Sequence, residues 1–201
     1  MDYPEYIEVN GNEYKIDTDY RVGLACLKVA NDTTISDTER FYAILCLLLG
    51  TDVKQEDEIE AFKKCAIYLR CGKEINPTND EIDVDYEQDS GYINASFRSC
   101  YQIDIKNENM HWWEYNDLIA GFGEKEVMTR IREIRNRKLS DCADEKERQE
   151  LIKQKEMFGL KKNVVVETTE ENKEIDDIFN NLLKKGEWKY DSRKVDNWNW
   201  N

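Results

Sequence analysis

One stretch near the middle of the chain, Met110–Phe122, constrains the fold more than any other. It contains two of the five tryptophans, Trp112 and Trp113, and the single histidine. A helical period of about 100° per residue places five large apolar side chains on one side: Trp112, Tyr115, Leu118, Ile119 and Phe122. Aromatic side chains bury roughly 150–250 Å² each. We therefore expect this helix to form the centre of a core around which other helices pack.

His111 lies beside this apolar face. A histidine can act as a general base or bind a metal ion, but a zinc site needs further ligands at suitable spacing, and none lies next to it. We predict a partly buried histidine with a hydrogen-bond partner. None of the cysteines forms a C-x-x-C pair, so small buried apolar residues explain them better than disulfides or metal ligands. The six are Cys26, Cys46, Cys65, Cys71, Cys100 and Cys142.

Composition favours a helical protein and excludes some classes of function. The chain has only two prolines and nine glycines, while 36 % of its residues are charged. Its net charge of −14 argues against general nucleic-acid binding, which needs a basic surface. No apolar run approaches the ~20 residues of a membrane span. The N-terminus lacks the basic start and apolar region of a signal peptide, so we expect a cytoplasmic protein.

Local signals predict the order of the elements. Asn10-Gly11 lies between two short alternating stretches, a pattern typical of a β-hairpin. Ser36 and Glu39 form a capping box ahead of an apolar run that ends at Gly50. Further amphipathic helices are predicted over about residues 20–30, 56–70, 89–101, 124–138, 144–158 and 170–185. The fold class is therefore mainly α, with an N-terminal β-hairpin packed on a bundle of about six to seven short helices.

An acidic segment, Glu74–Asp89, precedes one of these helices. Asp83, Asp85 and Glu87 match the start of a calcium-binding loop, but Gln88 and Asn94 stand where that loop needs glycine and glutamate. We interpret the segment as a solvated entry to the helix, where negative charge suits the N-terminal end of the helix dipole.

One basic cluster follows the central helix. It has two interpretations, an anionic partner or pairing with acidic segments of the same chain, and the second is preferred. The cluster comprises Arg130, Arg132, Arg135, Arg137 and Lys138.

The last forty or so residues differ in character from the rest. We predict a helical domain with its hairpin over residues 1–160 and a C-terminal extension over residues 161–201, made of a short helix and a tryptophan-rich tail. Val164–Val166 reads as an edge strand. Tryptophan is enriched at interface hot spots, and an apolar stripe precedes these tryptophans. We predict partner binding by Ile178, Phe179, Leu182, Leu183, Trp188, Trp198 and Trp200. The alternative is that the stripe docks on its own domain.

The chain shows no motif for catalysis or cofactor binding. It has no glycine-rich phosphate loop, no G-x-S-x-G and no H-E-x-x-H. We predict no catalytic residue, no cofactor and no bound metal.

An ordered set of motifs carries a resemblance to a known family. The blocks are Tyr14–Arg21, Asp85–Asp89, Tyr92–Phe97, Tyr101–Ile105, Met110–Trp113, Leu118–Phe122, Ile131–Arg135 and Lys153–Leu160. Over about residues 5–160 the chain resembles a small family encoded among the tail genes of long-tailed phages and prophages of Gram-positive bacteria, near the gene for the tape measure protein. That family resembles tail assembly chaperones.

The resemblance implies a protein that keeps the tape measure protein soluble until tail tube protein polymerises around it. The implied partners are the tape measure protein, the tail tube protein and further copies of the chain itself. The implied location is the cytoplasm of the bacterial host, not the mature virion. The family supplies no catalytic residues. An alternative from another class is a phage-encoded acidic protein that mimics nucleic acid and modulates a host protein through Glu74–Asp89.

Overall fold

The computed structural model describes residues 3–73 and 83–161, together with Ile175 and Ile178. These parts confirm the mainly α fold with an N-terminal hairpin. The strands are β1 (Tyr6–Val9) and β2 (Asn12–Lys15), and the helices are α1 (Tyr20–Ala30), α2 (Asp37–Leu49), α3 (Glu58–Leu69), α4 (Ser90–Tyr101), α5 (Trp112–Ala120), α6 (Val127–Asn136) and α7 (Glu145–Phe158). Within these parts no helix has the length and apolarity to cross a membrane. The strand predicted at Val164–Val166 lies outside the described residues.

The β-hairpin forms where the Asn-Gly pair predicts it. Strands β1 and β2 pair antiparallel, with Ile7 opposite Tyr14. The turn places Asn10 at φ 50° and Gly11 at φ 77°, the left-handed region that asparagine and glycine tolerate best. Because side chains alternate along a strand, β1 buries Ile7 and Val9 and leaves Tyr6 and Glu8 exposed.

Helix α2 has the start and the end that its sequence predicts. The Ser36 hydroxyl accepts from the backbone N–H of Glu39, and the Glu39 carboxylate accepts from the N–H of Ser36. This reciprocal capping box satisfies N–H groups that a helix start otherwise leaves without a partner. Gly50, at φ 77°, ends the helix. The N–H of Asp17 then donates to the Leu48 carbonyl, which ties the exit of the hairpin to the end of α2.

The chain divides into two compact units, and it passes from one to the other more than once. The first unit comprises residues 1–79, 109–117 and 165–201, and the second comprises residues 80–108 and 118–164. The core of the first unit takes its buried side chains from the hairpin, from helices α1 to α3 and from the start of α5. The largest of these are Ile7, Phe41, Ile44, Leu48, Phe62, Tyr68, Leu69 and Trp112.

Trp112 is fully buried, as the sequence predicts. Its indole N–H donates to the backbone carbonyl of Leu69 at 3.0 Å, so the one polar atom of the ring has a partner. The ring lies directly against α1 at Gly23, where an added Cβ would come within 2.4 Å of the ring carbons. Gly23 is therefore the gap in α1 that admits the tryptophan.

The second unit is built from α4, α6 and α7. Its buried apolar side chains are Ile93, Phe97, Ile105, Ile119, Met128, Ile131 and Leu151. The Phe97 and Phe122 rings meet edge to face, with centroids 5.2 Å apart, a favoured aromatic geometry. Asp144 caps α7, because its carboxylate accepts from the N–H of Glu147.

The central helix is shorter than its periodicity predicts. It begins at Trp112, because the chain just before it pairs with the segment ahead of α1: the Trp112 N–H donates to the Thr18 carbonyl, and His111 pairs with Asp19 in an isolated antiparallel bridge. Helix α3 also starts later than predicted, after a 3-10 turn over Gln55–Asp57. At α5 these tertiary hydrogen bonds set the start of the helix, whereas at α3 the first turn is 3-10 and the difference is two residues.

Candidate functional site

The predicted partner-binding stripe lies only in part within the described residues. Ile178 is helical and 8 % exposed, and Ile175, one turn earlier, is helical and buried as well. These two side chains therefore belong to the core of the first unit. The other members of the predicted set lie outside the described residues: Phe179, Leu182, Leu183, Trp188, Trp198 and Trp200.

His111 is a partly buried residue with hydrogen-bond partners, as the sequence predicts. Its Nδ1 accepts the backbone N–H of Trp113 at 3.0 Å, so the proton of the neutral ring is on Nε2, which donates to the Pro4 carbonyl at 3.1 Å. The Tyr3 ring stacks on the imidazole with centroids 4.9 Å apart. Both ring nitrogens are thus used to hold residues 3–4 against the start of α5.

The protonation state of His111 agrees with this role. Burial lowers the pKa of the imidazole below its ordinary value, while the hydrogen bond to Pro4 and the carboxylates of Glu114, Glu5 and Asp117 raise it by less. A neutral ring is also required by the bond from Trp113, since a protonated Nδ1 cannot accept. His111 therefore links residues 3–4 to the start of α5, and both of its ring nitrogens are used in hydrogen bonds, so neither is available for proton transfer.

The described part of the acidic segment, residues 83–89, is used by the chain itself, while its residues 74–82 lie outside the described residues. The Asp85 carboxylate accepts the backbone N–H groups of Glu87 and Gln88, which shapes the turn before α4. Asp83 accepts from Arg132 at 2.8 Å. Asp89 is fully buried, so the prediction of a solvated acidic entry is wrong at this residue. The reason is a partner on α6 that lies far away in sequence.

That partner is Arg135, whose guanidinium donates four hydrogen bonds within the second unit. Its guanidinium donates two bonds to the Asp89 carboxylate, at 2.7 and 2.8 Å. It also donates to the backbone carbonyls of Asp83 and Phe158. The pair is 6 % and 0 % exposed, and a bidentate geometry suits a buried arginine–carboxylate pair. One side chain thus connects α4, α6 and the end of α7.

The basic cluster therefore pairs with acidic residues of its own chain, the preferred of its two interpretations. Besides Arg135, Arg132 pairs with Asp83, and Arg137 pairs with Glu147 at 2.6 Å. The cations that the sequence offers to an anionic partner are largely committed to holding the second unit together.

The cysteines divide into three groups: two are buried, two are exposed, and Cys71 and Cys142 are half-buried. Cys26 and Cys65 are fully buried, and burial raises the pKa of the Cys26 thiol to about 12, which makes it a poor nucleophile. Cys46 and Cys100 are exposed, so the prediction of buried residues is wrong for these two. Within the described ranges, no three histidine, cysteine or acidic side chains are grouped so that they could hold a metal ion.

A surface that the sequence did not single out lies on α2. The periodicity correctly assigns Phe41, Ile44, Leu45 and Leu48 to the core. The residues between them are apolar too, and Tyr42 and Leu47 are 48 % and 36 % exposed. The sequence does contain a sign of this surface. An amphipathic helix has apolar residues on one side only, whereas the apolar run of α2 places them on every side of the helix.

Comparison with known proteins gives one match. A family model described as Bacteriophage Gp15 protein matches residues 2–160. The match thus stops where the sequence predicts the C-terminal extension to begin. No curated protein and no solved structure matches the chain.

Proposed function

From the premise that the chain belongs to the bacteriophage Gp15 protein family, we propose that it acts in phage tail assembly as a chaperone-like binding protein. In this role it binds the tape measure protein, and it also binds further copies of itself or tail tube protein, in the cytoplasm of the infected host. The observation that carries the proposal is the family match, which covers the hairpin and all seven helices of the described residues.

The properties of the chain support a binding role. Its net charge of −14 favours solubility and discourages nonspecific association. The groups best suited to chemistry are occupied elsewhere: both nitrogens of His111 hold backbone groups, and burial keeps the Cys26 thiol protonated. A holding function of this kind requires no catalytic residue, cofactor or metal ion.

The proposed contact residues are those of the C-terminal extension that follow the buried Ile175 and Ile178. These two isoleucines are buried in a part of the chain that belongs to the first unit. The six apolar and aromatic residues after them, from Phe179 to Trp200, are the proposed binding elements, because tryptophan is enriched at interface hot spots and aromatic side chains bury large areas.

Modulation of a host protein through a nucleic-acid-like acidic surface is the second candidate, and the described residues favour it less. Such mimicry needs carboxylates presented to solvent. Asp89 is buried, and Asp83 is paired with Arg132.

Co-expression with the tape measure protein of the same phage tests the proposal. We expect the full-length chain to co-purify with that protein and to raise its soluble fraction. The variant in which Trp188, Trp198 and Trp200 are all changed to Ala should lose both effects. Met157→Ala is the control, because Met157 is 74 % exposed on α7 and lies outside the proposed contact set.

Two results would contradict the proposal in different ways. If the full-length chain neither binds the tape measure protein nor changes its solubility, the chaperone role is wrong. If the triple tryptophan variant binds as well as the original chain, the role stands but the extension is not the binding element. Sedimentation of the same samples measures self-association.

A further inference from the structure

The outward face of α2 is an uncharged apolar surface two helical turns long. We define the α2 surface by its five residues: Tyr42, Ala43, Cys46, Leu47 and Leu49. Tyr42, Cys46 and Leu47 are exposed, and the other two are half-buried. The opposite side of the same helix is already buried in the core, so this surface is additional to what the fold requires.

Charge normally covers the outside of a helix in a chain of which 36 % is charged. Helix α7 shows the ordinary arrangement. Ile152 and Met157 are exposed there as well, but Lys153 and Glu156 lie between them on exposed positions. Isolated exposed apolar residues of that kind are common on protein surfaces, whereas a contiguous group indicates an interaction site.

The spacing of the α2 surface suits another helix. Tyr42, Cys46 and Leu49 are separated by four and three residues, and Ala43 and Leu47 by four, which places two parallel rows along one side. Rows of this spacing form the ridges and grooves into which a second helix packs. At about 1.5 Å per residue the surface is roughly 10 Å long, enough for two turns of a partner helix.

Carboxylates border the surface. Glu58 of α3 accepts from the Tyr42 hydroxyl at 3.3 Å, and its charge raises the pKa of that phenol. At the same end, Glu39 lies on α2 one turn before Tyr42 and is exposed, and hydrogen bonds from Ser36 lower the pKa of its carboxyl group, so it stays ionised. The Tyr42 end of the apolar surface is therefore bordered by two carboxylates.

We propose that the α2 surface binds an amphipathic helix of another protein, with apolar residues that pack on Tyr42 and Leu47 and cationic residues that face Glu39 and Glu58. Electrostatic repulsion makes a second copy of this chain a poorer occupant of the surface than a cationic helix. Two copies would bring together net charges of −14 each and the same acidic borders. A helix with lysine or arginine beside its apolar stripe satisfies both the surface and its border.

This surface is distinct from the residues proposed above for the tape measure protein. It does not depend on that partner or on the tail assembly role. The test below uses neither the tape measure protein nor the tryptophan variants, so each proposal can fail while the other stands.

The probes are two short synthetic amphipathic helices, one of leucine and lysine and one of leucine and glutamate in the same arrangement. Binding of each labelled peptide to the full-length chain is measured by fluorescence anisotropy at physiological salt. We expect the leucine–lysine helix to bind and the leucine–glutamate helix to remain free, because only the first complements the acidic border.

The decisive variant changes the apolar area without changing charge. Tyr42→Ser with Leu47→Ser should weaken binding of the leucine–lysine helix by at least about tenfold, the loss expected when two central apolar contacts are removed. The matched control is Ile152→Ser with Met157→Ser, which removes exposed apolar area from α7 and should leave affinity unchanged.

Three results would overturn the proposal. The first is equal affinity for the original chain and the α2 variant, which means that net charge alone attracts the peptide. The second is failure of the leucine–lysine helix to bind the original chain. The third is a dimer in sedimentation that Tyr42→Ser with Leu47→Ser dissociates, which assigns the surface to a second copy. Circular dichroism confirms that the α2 variant stays helical.

Discussion

Two buried carboxylates, one in each unit, are stabilised in opposite ways. Asp57, ahead of α3, is fully buried and accepts from three neutral groups: the Asn10 and Asn12 amides and the Tyr14 hydroxyl, at 2.6 to 2.8 Å. Asp89, ahead of α4, is equally buried, but its main partner is the cation of Arg135. The first site attaches the hairpin to α3, and the second joins α4 to α6.

The difference shows where each site is vulnerable. Neutral donors stabilise the ionised form of Asp57 by hydrogen bonds that can be lost singly. At the second site two charges compensate each other, so removal of one leaves the other buried without a counter-charge, which costs far more than a single hydrogen bond. Substitution of one partner should therefore cost little stability at the hairpin junction and much more at the Asp89–Arg135 junction.

The largest expected effect is that of Arg135→Met. This change leaves the buried Asp89 carboxylate uncompensated and should lower the free energy of unfolding by about 3–5 kcal/mol. Urea denaturation followed by circular dichroism measures it. Arg132→Met is the control, because its pair with Asp83 is partly exposed and should contribute about 1 kcal/mol or less. Similar losses in the two variants would remove the contrast.

Arg135→Lys should have an intermediate effect. The lysine keeps the positive charge beside Asp89 but cannot donate at once to the carboxylate and to the carbonyls of Asp83 and Phe158. We expect a loss of about 1–3 kcal/mol, the range for buried acceptors left without a donor. If Arg135→Lys is as damaging as Arg135→Met, then geometry rather than charge controls this junction.

Asp57→Asn should have a smaller effect than either change at Arg135. It keeps the shape of the side chain and removes the charge, but the new amide then faces the donors of Asn12 and Tyr14. We expect a lower midpoint of thermal unfolding with the hairpin still paired. Amide exchange of the β1 and β2 residues reports on the pairing, and loss of protection throughout both units would contradict the small cost expected at this junction.

Tyr14→Phe should give the smallest effect, and the effect should depend on pH. The Tyr14 hydroxyl is the largest cause of the lowered pKa of Asp57, whose ordinary value is 3.8. A carboxyl group with a lowered pKa in the fold contributes stability that is complete above the ordinary value and is lost as the pH falls through the folded value. The original chain should therefore be more stable than Tyr14→Phe by the largest margin near neutral pH, and this margin should shrink below pH 3.8.

Unfolding measured at several pH values from neutral to strongly acidic conditions tests this. Other acids titrate alike in both proteins, so the difference between them isolates the hairpin junction. A difference that stays constant across the range would mean that the Tyr14 hydroxyl acts by packing and not through the charge of Asp57.

Local features of the fold were predictable from the sequence, and long-range pairings were not. The Asn10-Gly11 turn and the Ser36–Glu39 capping box involve residues a few positions apart, so their spacing alone defines them. Asp57 and Asp89 look like any other acids in this chain, because their burial depends on partners 47 and 46 positions away in sequence.

The candidate sites follow the same rule. His111 was predicted as a partly buried residue with a partner, but Pro4 and Tyr3 as its neighbours depend on how the N-terminal segment returns to α5. The α2 surface is not predicted from the sequence. Helical periodicity identifies the side of α2 that faces the core, but it does not show that apolar residues on the opposite side have a role. Of the predicted C-terminal set, only Ile178 lies among the described residues.

The contact between Gly23 and the Trp112 ring has a consequence for variation in this family. Any side chain at position 23 would overlap the ring, and loss of the ring would leave a void against α1. A substitution at either position alone should therefore destabilise the fold. Relatives that carry a larger residue at the first should carry a smaller one at the second, so the two positions should change as a correlated pair across the evolutionary history of these phages.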